Sequence, residues 1–216
     1  MFDQYLQQIR SEPEEGWEEQ YDRWYNEEHL PSLLTVPEFT WARRYVSLDG
    51  PSPKYTALYG LTDPNVFQKE HYLKARDTAG TVVIRQHYKA HTRNVYKLIY
   101  PEIAVDKLQG KGSPHKYLLL VRMDVEEGWE EEFRRWYNEE HVKNLLTVPG
   151  FLSGARYESI EGTPRFMAIY EIETPEIFKT ETYLKARETE WTLRMRSHFG
   201  DNTRNVYQLF HEGKKP

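Results

Sequence analysis

The chain says the same thing twice. Residues 14–48 and 126–160 share 22 identities in 35 positions at a constant offset of 112. EEGWEE, WYNEEH and LLTVP occur in both segments. YLKAR recurs at 72–76 and 183–187, and TRNVY at 92–96 and 203–207, now at an offset of 111. One residue is therefore lost between Gly50 and Lys54. Two copies of a unit of roughly 100 residues are too few for a solenoid, which needs about three stacked repeats. They suit two similar halves related by an approximate two-fold axis within one chain.

The second copy gives the clearer element pattern. Lys116–Val125 is an apolar run and predicts a strand. Trp129, Phe133, Trp136 and Glu140 recur at helical spacing, predicting a helix to about Leu146 that Val148-Pro149-Gly150 ends. Phe151–Ile160 and Arg165–Ile172 predict two strands joined by a turn. Thr174 as N-cap and Pro175 at N1 predict a second helix continuing through Trp191 towards His198. Asn205–His211 is the last strand. The order βαββαβ is the ferredoxin-like split arrangement.

The first copy follows the same order, but its opening strand, Phe2–Ile9, carries Gln4, Gln7 and Gln8 and predicts a short or edge strand. The expected organisation is an α+β chain with a first ferredoxin-like repeat at 1–100, a linker at 101–115 containing Gly110, Gly112 and Pro114, and a second repeat at 116–212. A lone unit of this order leaves one sheet face bare. Two units can bury those faces sheet to sheet, and a covalent join makes the pairing intramolecular.

Composition narrows the function classes. With 29 Lys and Arg against 34 Asp and Glu, the net charge is −5. Such a chain lacks the cationic footprint that nucleic acid or an anionic membrane surface requires. The absence of cysteine removes disulfides and thiolate metal sites. MFDQYLQQIR has no apolar leader core and no run approaches a membrane span, so the expected location is cytoplasmic. The 16 Tyr, 9 Phe and 6 Trp can fill a core or line a pocket for a flat organic ligand.

The segment W-Y-N-E-E-H-x-x-x-L-L-x-V-P-x-F, at 24–39 and 136–151, resembles the first-helix signature of EthD-like proteins of the dimeric α+β barrel superfamily. The resemblance covers nearly the whole chain, twice. It implies an intramolecular dimeric α+β barrel, here in fused form, with further homodimerisation open. The superfamily includes polyketide cyclases, cofactor-free monooxygenases, lactone isomerases, aromatic dehydratases or decarboxylases, and haem enzymes; many EthD-like members have no known activity. Copy two departs from the family by carrying Lys143 where copy one has Pro31.

On an ideal helical wheel Glu28 falls at the centre of a stripe made by Trp17, Tyr21 and Trp24, where a leucine is expected. Tyr25 and His29 lie at the stripe's edge. Trp136, Tyr137, Glu140 and His141 repeat the pattern. A carboxylate among rings loses hydration and is suited to proton transfer, and an imidazole beside it titrates near neutral pH. Glu28, His29, Glu140 and His141 are therefore the candidate acid–base residues. Trp24, Tyr25, Arg44 and Tyr59, with Trp136, Tyr137, Arg156 and Tyr170, are the candidate substrate-binding residues. A competing reading gives Glu28 a strand arginine or a backbone partner and makes His29 a helix-end cap. His87 and His198 are assigned a surface or capping role. Adjacent Glu-His pairs lack the i, i+4 spacing of helical metal ligands, so no metal is expected. The leading expectation is a cofactor-independent enzyme performing cyclisation, dehydration, isomerisation or decarboxylation on a small aromatic or polyketide-like molecule. The alternative is a non-catalytic small-molecule-binding or accessory protein. For haem, the sequence offers no ligand beyond ordinary histidines.

Overall fold

The structure, a computed structural model, describes residues 3–104 and 116–215. In the first half, β1 (Tyr5–Pro13) leads into α1 (Glu18–Trp24), a π-helical turn (Tyr25–His29) and α2 (Leu30–Leu34). Next come β2 (Phe39–Ser47), β3 (Tyr55–Leu61), α3 (Glu70–Arg76), α4 (Ala79–Ile84) and β4 (Tyr88–Ala104). The second half repeats the order with β5 (Tyr117–Val125), α5 (Glu130–Trp136), a π turn (Tyr137–His141) and α6 (Val142–Leu146). It closes with β6 (Phe151–Glu161), β7 (Phe166–Ile172), α7 (Glu181–Arg187), α8 (Glu190–Arg196) and β8 (Phe199–Gly213).

All eight strands form one closed antiparallel barrel, in the order β1-β3-β2-β8-β5-β7-β6-β4. Matching strands of the two halves, such as β1 and β5, stand four places apart in that ring. The expected packing of sheet on sheet thus takes the form of two edge seams, β2 with β8 and β4 with β6.

Strand alternation makes three cores. Leu6, Tyr45, Leu58, Leu118, Tyr157 and Ile169 fill the barrel interior. The outward residues of each half pack under that half's helices, around Tyr21, Trp24 and Tyr59 in the first and Phe133, Trp136 and Tyr170 in the second.

Several expectations are corrected. β1 is neither short nor an edge: it spans nine residues and pairs with both β3 and β4. Closure leaves no edge to blunt, and two of the three glutamines that weakened the reading, Gln7 and Gln8, are buried, Gln8 donating to Thr56 Oγ1 at 3.2 Å, while Gln4 is exposed just before the strand. Phe2 lies outside the described residues. β4 runs four residues into the expected linker, pairing Ala104 with Ser153; 105–115 lie outside the described residues. The second helix of each unit is broken. Thr174 caps a 3-10 turn with Pro175 at its start, as expected, but Thr180 and Thr189 then cap α7 and α8 separately. Each threonine side chain accepts a backbone N–H, which restarts the helix in a new direction.

Candidate active site

The π turns decide which side chains face inward. The Leu30 N–H bonds to the Tyr25 carbonyl, and the Val142 N–H to that of Tyr137, five residues back rather than four. Pro31 does not cause this, because the turn is the same beside Lys143. One extra residue per turn shifts everything beyond it by one position. The residue lying over Trp24 is therefore His29, with ring centroids 4.4 Å apart and planes 28° apart. His141 lies over Trp136 at 4.5 Å. On an uninterrupted helix Glu28 and Glu140 would hold those places.

The two glutamates sit elsewhere. Glu28 accepts the Gly80 N–H at 3.1 Å at the start of α4. Gly80 permits this approach, since a Cβ there would meet Glu28 Oε2 at 2.5 Å and Trp24 Cδ1 at 2.6 Å. At the matching position copy two carries Trp191, and Glu140 instead accepts the Thr189 hydroxyl at 2.6 Å. The centre of the aromatic stripe is thus a histidine position, and each glutamate ties the first helix to the start of a later one.

A cleft of about 680 Å³ opens between the helices and the sheet of the first half. Its inner wall is Trp24, Tyr25, His29, Tyr59 and Tyr72. Tyr59 donates to the Tyr25 hydroxyl at 3.1 Å, and Trp24 Nε1 donates to Thr81 Oγ1 at 3.3 Å. Arg76, Arg85, Lys89 and Arg93 ring its mouth. Arg85 pairs with Asp77 at 2.6 Å, Lys89 with Glu12 at 2.9 Å, and Arg93 with Glu161 across the β4–β6 seam. The second half has an equivalent cleft of about 390 Å³ with Trp136, Tyr137, His141 and Tyr170 on its wall and Arg187, Arg196 and Arg204 at its mouth. Its walls differ: Leu119 stands for Gln7 and Asn202 for His91, and the sequence counterpart of Lys89 is Gly200, which does not line it.

Burial governs the protonation of these groups. The His29 imidazole is pushed down to about 3, first by burial, then by the cations of Arg85 and Arg44. His141 is likewise pushed down to about 3 by burial and by Arg156. Both are neutral at neutral pH, which corrects the expectation of titration there. Nδ1 of each is buried without a hydrogen-bond partner. The Tyr25 and Tyr59 hydroxyls are held well above the ordinary tyrosine range, chiefly by burial, and remain protonated donors.

Arg44 and Arg156 do not line either cleft. Arg44 donates to Asn26 Oδ1 and Asp22 Oδ1, both at 2.6 Å, and lies over the Tyr25 ring at 4.2 Å. Arg156 donates to Asn138 and lies over Tyr137 at 4.2 Å. These guanidiniums clamp the first helix of each half to the sheet. His87 and His198 stack on Trp17 and Trp129, each at 3.4 Å, and bond Glu14 and Glu126. The cations at the cleft mouths were missed. Arg76 and Arg187 end the shared YLKAR block and Arg93 and Arg204 lie in TRNVY, so the repeat was their signal. Among the described residues no group of three or more His, Cys, Asp or Glu converges on a metal position.

Solved structures share the architecture. An anthrone oxidase-like protein is 14% identical with a TM-score of 0.72, the match covering 99% of this chain and 96% of that one. A proposed monooxygenase from Fusobacterium nucleatum subsp. nucleatum is 12% identical at a TM-score of 0.64, covering 100% and 96%. A chlorite dismutase variant from Candidatus Nitrospira defluvii, in complex with cyanide, is 12% identical at 0.64, covering 98% and 92%. The fold is that of the dimeric α+β barrel. Residues 116–211 match the family model described as a domain of unknown function, DUF4286. No curated protein matches the chain. Among the described residues, no helix is long and apolar enough to cross a membrane.

Proposed function

We propose that this chain is a fused, EthD-like pseudo-dimer of two ferredoxin-like repeats, and that its clefts perform cofactor-independent proton transfer on a flat, carbonyl-bearing aromatic molecule. The observation that carries the reading is the π turn. In both halves it puts a histidine, rather than the neighbouring glutamate, on the aromatic wall of a ligand-sized cleft.

In the first cleft the ligand stacks among Trp24, Tyr59 and Tyr72. Its carbonyl oxygen accepts from the Tyr25–Tyr59 hydroxyl pair. The neutral His29 imidazole takes a proton from the activated carbon: the C–H bond breaks, an N–H bond forms, and the electron pair moves to the oxygen as an enolate. An imidazole whose pKa is about 3 is a weak base for an uncharged ligand. The developing enolate raises it, because a negative charge close by favours the imidazolium. Arg76 and Arg85 offset the enolate from the mouth. Return of the proton at another carbon gives isomerisation; departure of a β-hydroxyl as water, with the imidazolium proton, gives dehydration; attack of the enolate carbon on a second carbonyl of the same molecule, whose oxygen takes the imidazolium proton, gives cyclisation. Arg44, Arg156, Glu28 and Glu140 support the helices that carry these groups.

Haem, which the superfamily resemblance carries, needs an axial nitrogen. The Nδ1 of His29 is sealed, so the nitrogen that the proton-transfer step uses would have to serve, and no step through haem is derived.

Anthrone tests the chemistry, because its activated methylene exchanges with deuterium from solvent. The protein is expected to accelerate that exchange, followed by NMR. His29→Gln combined with His141→Gln should lower the rate by roughly 100-fold or more, while Glu28→Gln leaves it within a few-fold. Binding without accelerated exchange would favour the accessory-protein reading. Loss of exchange in Glu28→Gln alone would return the role to the carboxylate.

A further inference from the structure

The barrel interior holds a polar cluster that the clefts do not use. Arg10 on β1 and Arg122 on β5 occupy matching positions on strands that stand opposite each other in the ring. Both side chains point inward, where they are 6% and 3% exposed. Among the described residues neither guanidinium has a carboxylate within ion-pair distance. Arg10 Nη2 donates to the Ser52 carbonyl at 3.2 Å, and Arg122 Nη2 to Thr203 Oγ1 at 3.0 Å. The Nε of each is buried without a partner. The hydroxyls of Tyr96 on β4 and Tyr207 on β8 are buried as well, each against a guanidinium and with no acceptor for its own O–H. Tyr96 lies beside Arg122 and Tyr207 beside Arg10, so each pair joins one half of the chain to the other.

Two buried cations near one another with no carboxylate in ion-pair distance are costly, as are two unmet buried Nε–H groups. Arg122 is held below the ordinary arginine range by burial first and by Arg10 second. One small oxyanion meets all of these demands together. Its oxygens take the two unmet guanidinium N–H groups and the two tyrosine O–H groups, and its charge offsets both arginines. An eight-stranded barrel is of the size whose interior either fills with side chains or holds one small ligand, so the anion would sit between the two guanidiniums rather than in an open cavity. The sheet separates this position from both clefts.

We propose that Arg10, Arg122, Tyr96 and Tyr207 form a structural binding site for a single inorganic oxyanion of phosphate's size, which joins the two halves across the barrel. Binding to the folded state alone raises stability with ligand concentration.

The test uses the full chain and inorganic phosphate, with sodium chloride at matched ionic strength as the reference. Calorimetry should give one phosphate per chain. Tm should rise saturably, by roughly 5 to 10 °C at about 100-fold excess over the dissociation constant. Arg122→Gln should lose that rise and be the more stable protein in chloride alone, since one of two like charges is gone. Should Arg122→Gln not fold, the pair Tyr96→Phe and Tyr207→Phe, which removes only the two hydroxyls and keeps both rings, is expected to weaken phosphate binding at least several-fold. Equal Tm responses to phosphate and chloride, or a phosphate response lost in Arg85→Gln rather than Arg122→Gln, would overturn the proposal. The second result would place the anion at the cleft mouth.

Discussion

At the scale of single residues, His29 and His141 set how the protein meets acid. Their imidazoles are depressed in the folded chain, so the unfolded chain binds protons first as pH falls below the ordinary histidine value near 6.5. Stability should therefore decline from about pH 6.5 towards 3, by about 1.4 kcal/mol per pH unit for each imidazole. Replacing both with Gln should flatten that part of a plot of Tm against pH; an unchanged slope would show that the acid response arises from other groups. The glutamates act differently. Glu28→Ala should cost about 1 kcal/mol in denaturant unfolding, the usual scale for losing one hydrogen bond to a backbone amide. The sequence pointed to the six-residue block WYNEEH and to its aromatic walls. It named Glu28 and His29 together as acid–base candidates and did not show which of the two faces the cleft. A wheel at 100° per residue assumes i→i+4 bonding throughout, and nothing in the residue types of that block signals a five-residue turn.

At the scale of elements, that extra residue can be tested by removal. In a regular helix the residue four places beyond Trp24 would be His29 if one intervening residue were absent. Deleting the exposed Glu27 should convert the π turn to α-helix, keep His29 over Trp24 and break the Glu28–Gly80 bond. The expected loss is roughly 0.5–3 kcal/mol, with the circular dichroism of a folded protein retained. Failure to fold would mean that the turn itself, rather than the position it gives His29, is required. The element order was legible because hydrophobic period and turn residues agree in both copies. The break inside the second helix was not, because Thr180 and Thr189 read equally well as ordinary helical positions until their side chains are seen accepting backbone N–H groups.

At the scale of the whole molecule, the two halves are held by seams as well as by the chain. β2 pairs with β8 and β4 with β6, and Arg43–Glu212 at 2.9 Å and Arg204–Asp49 at 2.8 Å span the first seam. Cutting the chain once between residues 105 and 115 should leave both pieces together, eluting in gel filtration as one species of 25.9 kDa. Separate elution of the two pieces would show that the seams do not suffice. Closure of the barrel was expected from the bare sheet face, but the residues of β1 argued for an edge, because a closed ring buries glutamines that an isolated strand would expose. The covalent join has a further effect on how such a molecule can change. In an assembly of two identical chains every substitution arrives twice, so two equivalent pockets must drift together. Here Gln7 faces one cleft while Leu119 faces the other, and His91 answers to Asn202. Each cleft is free to acquire its own preference while its twin keeps the original one.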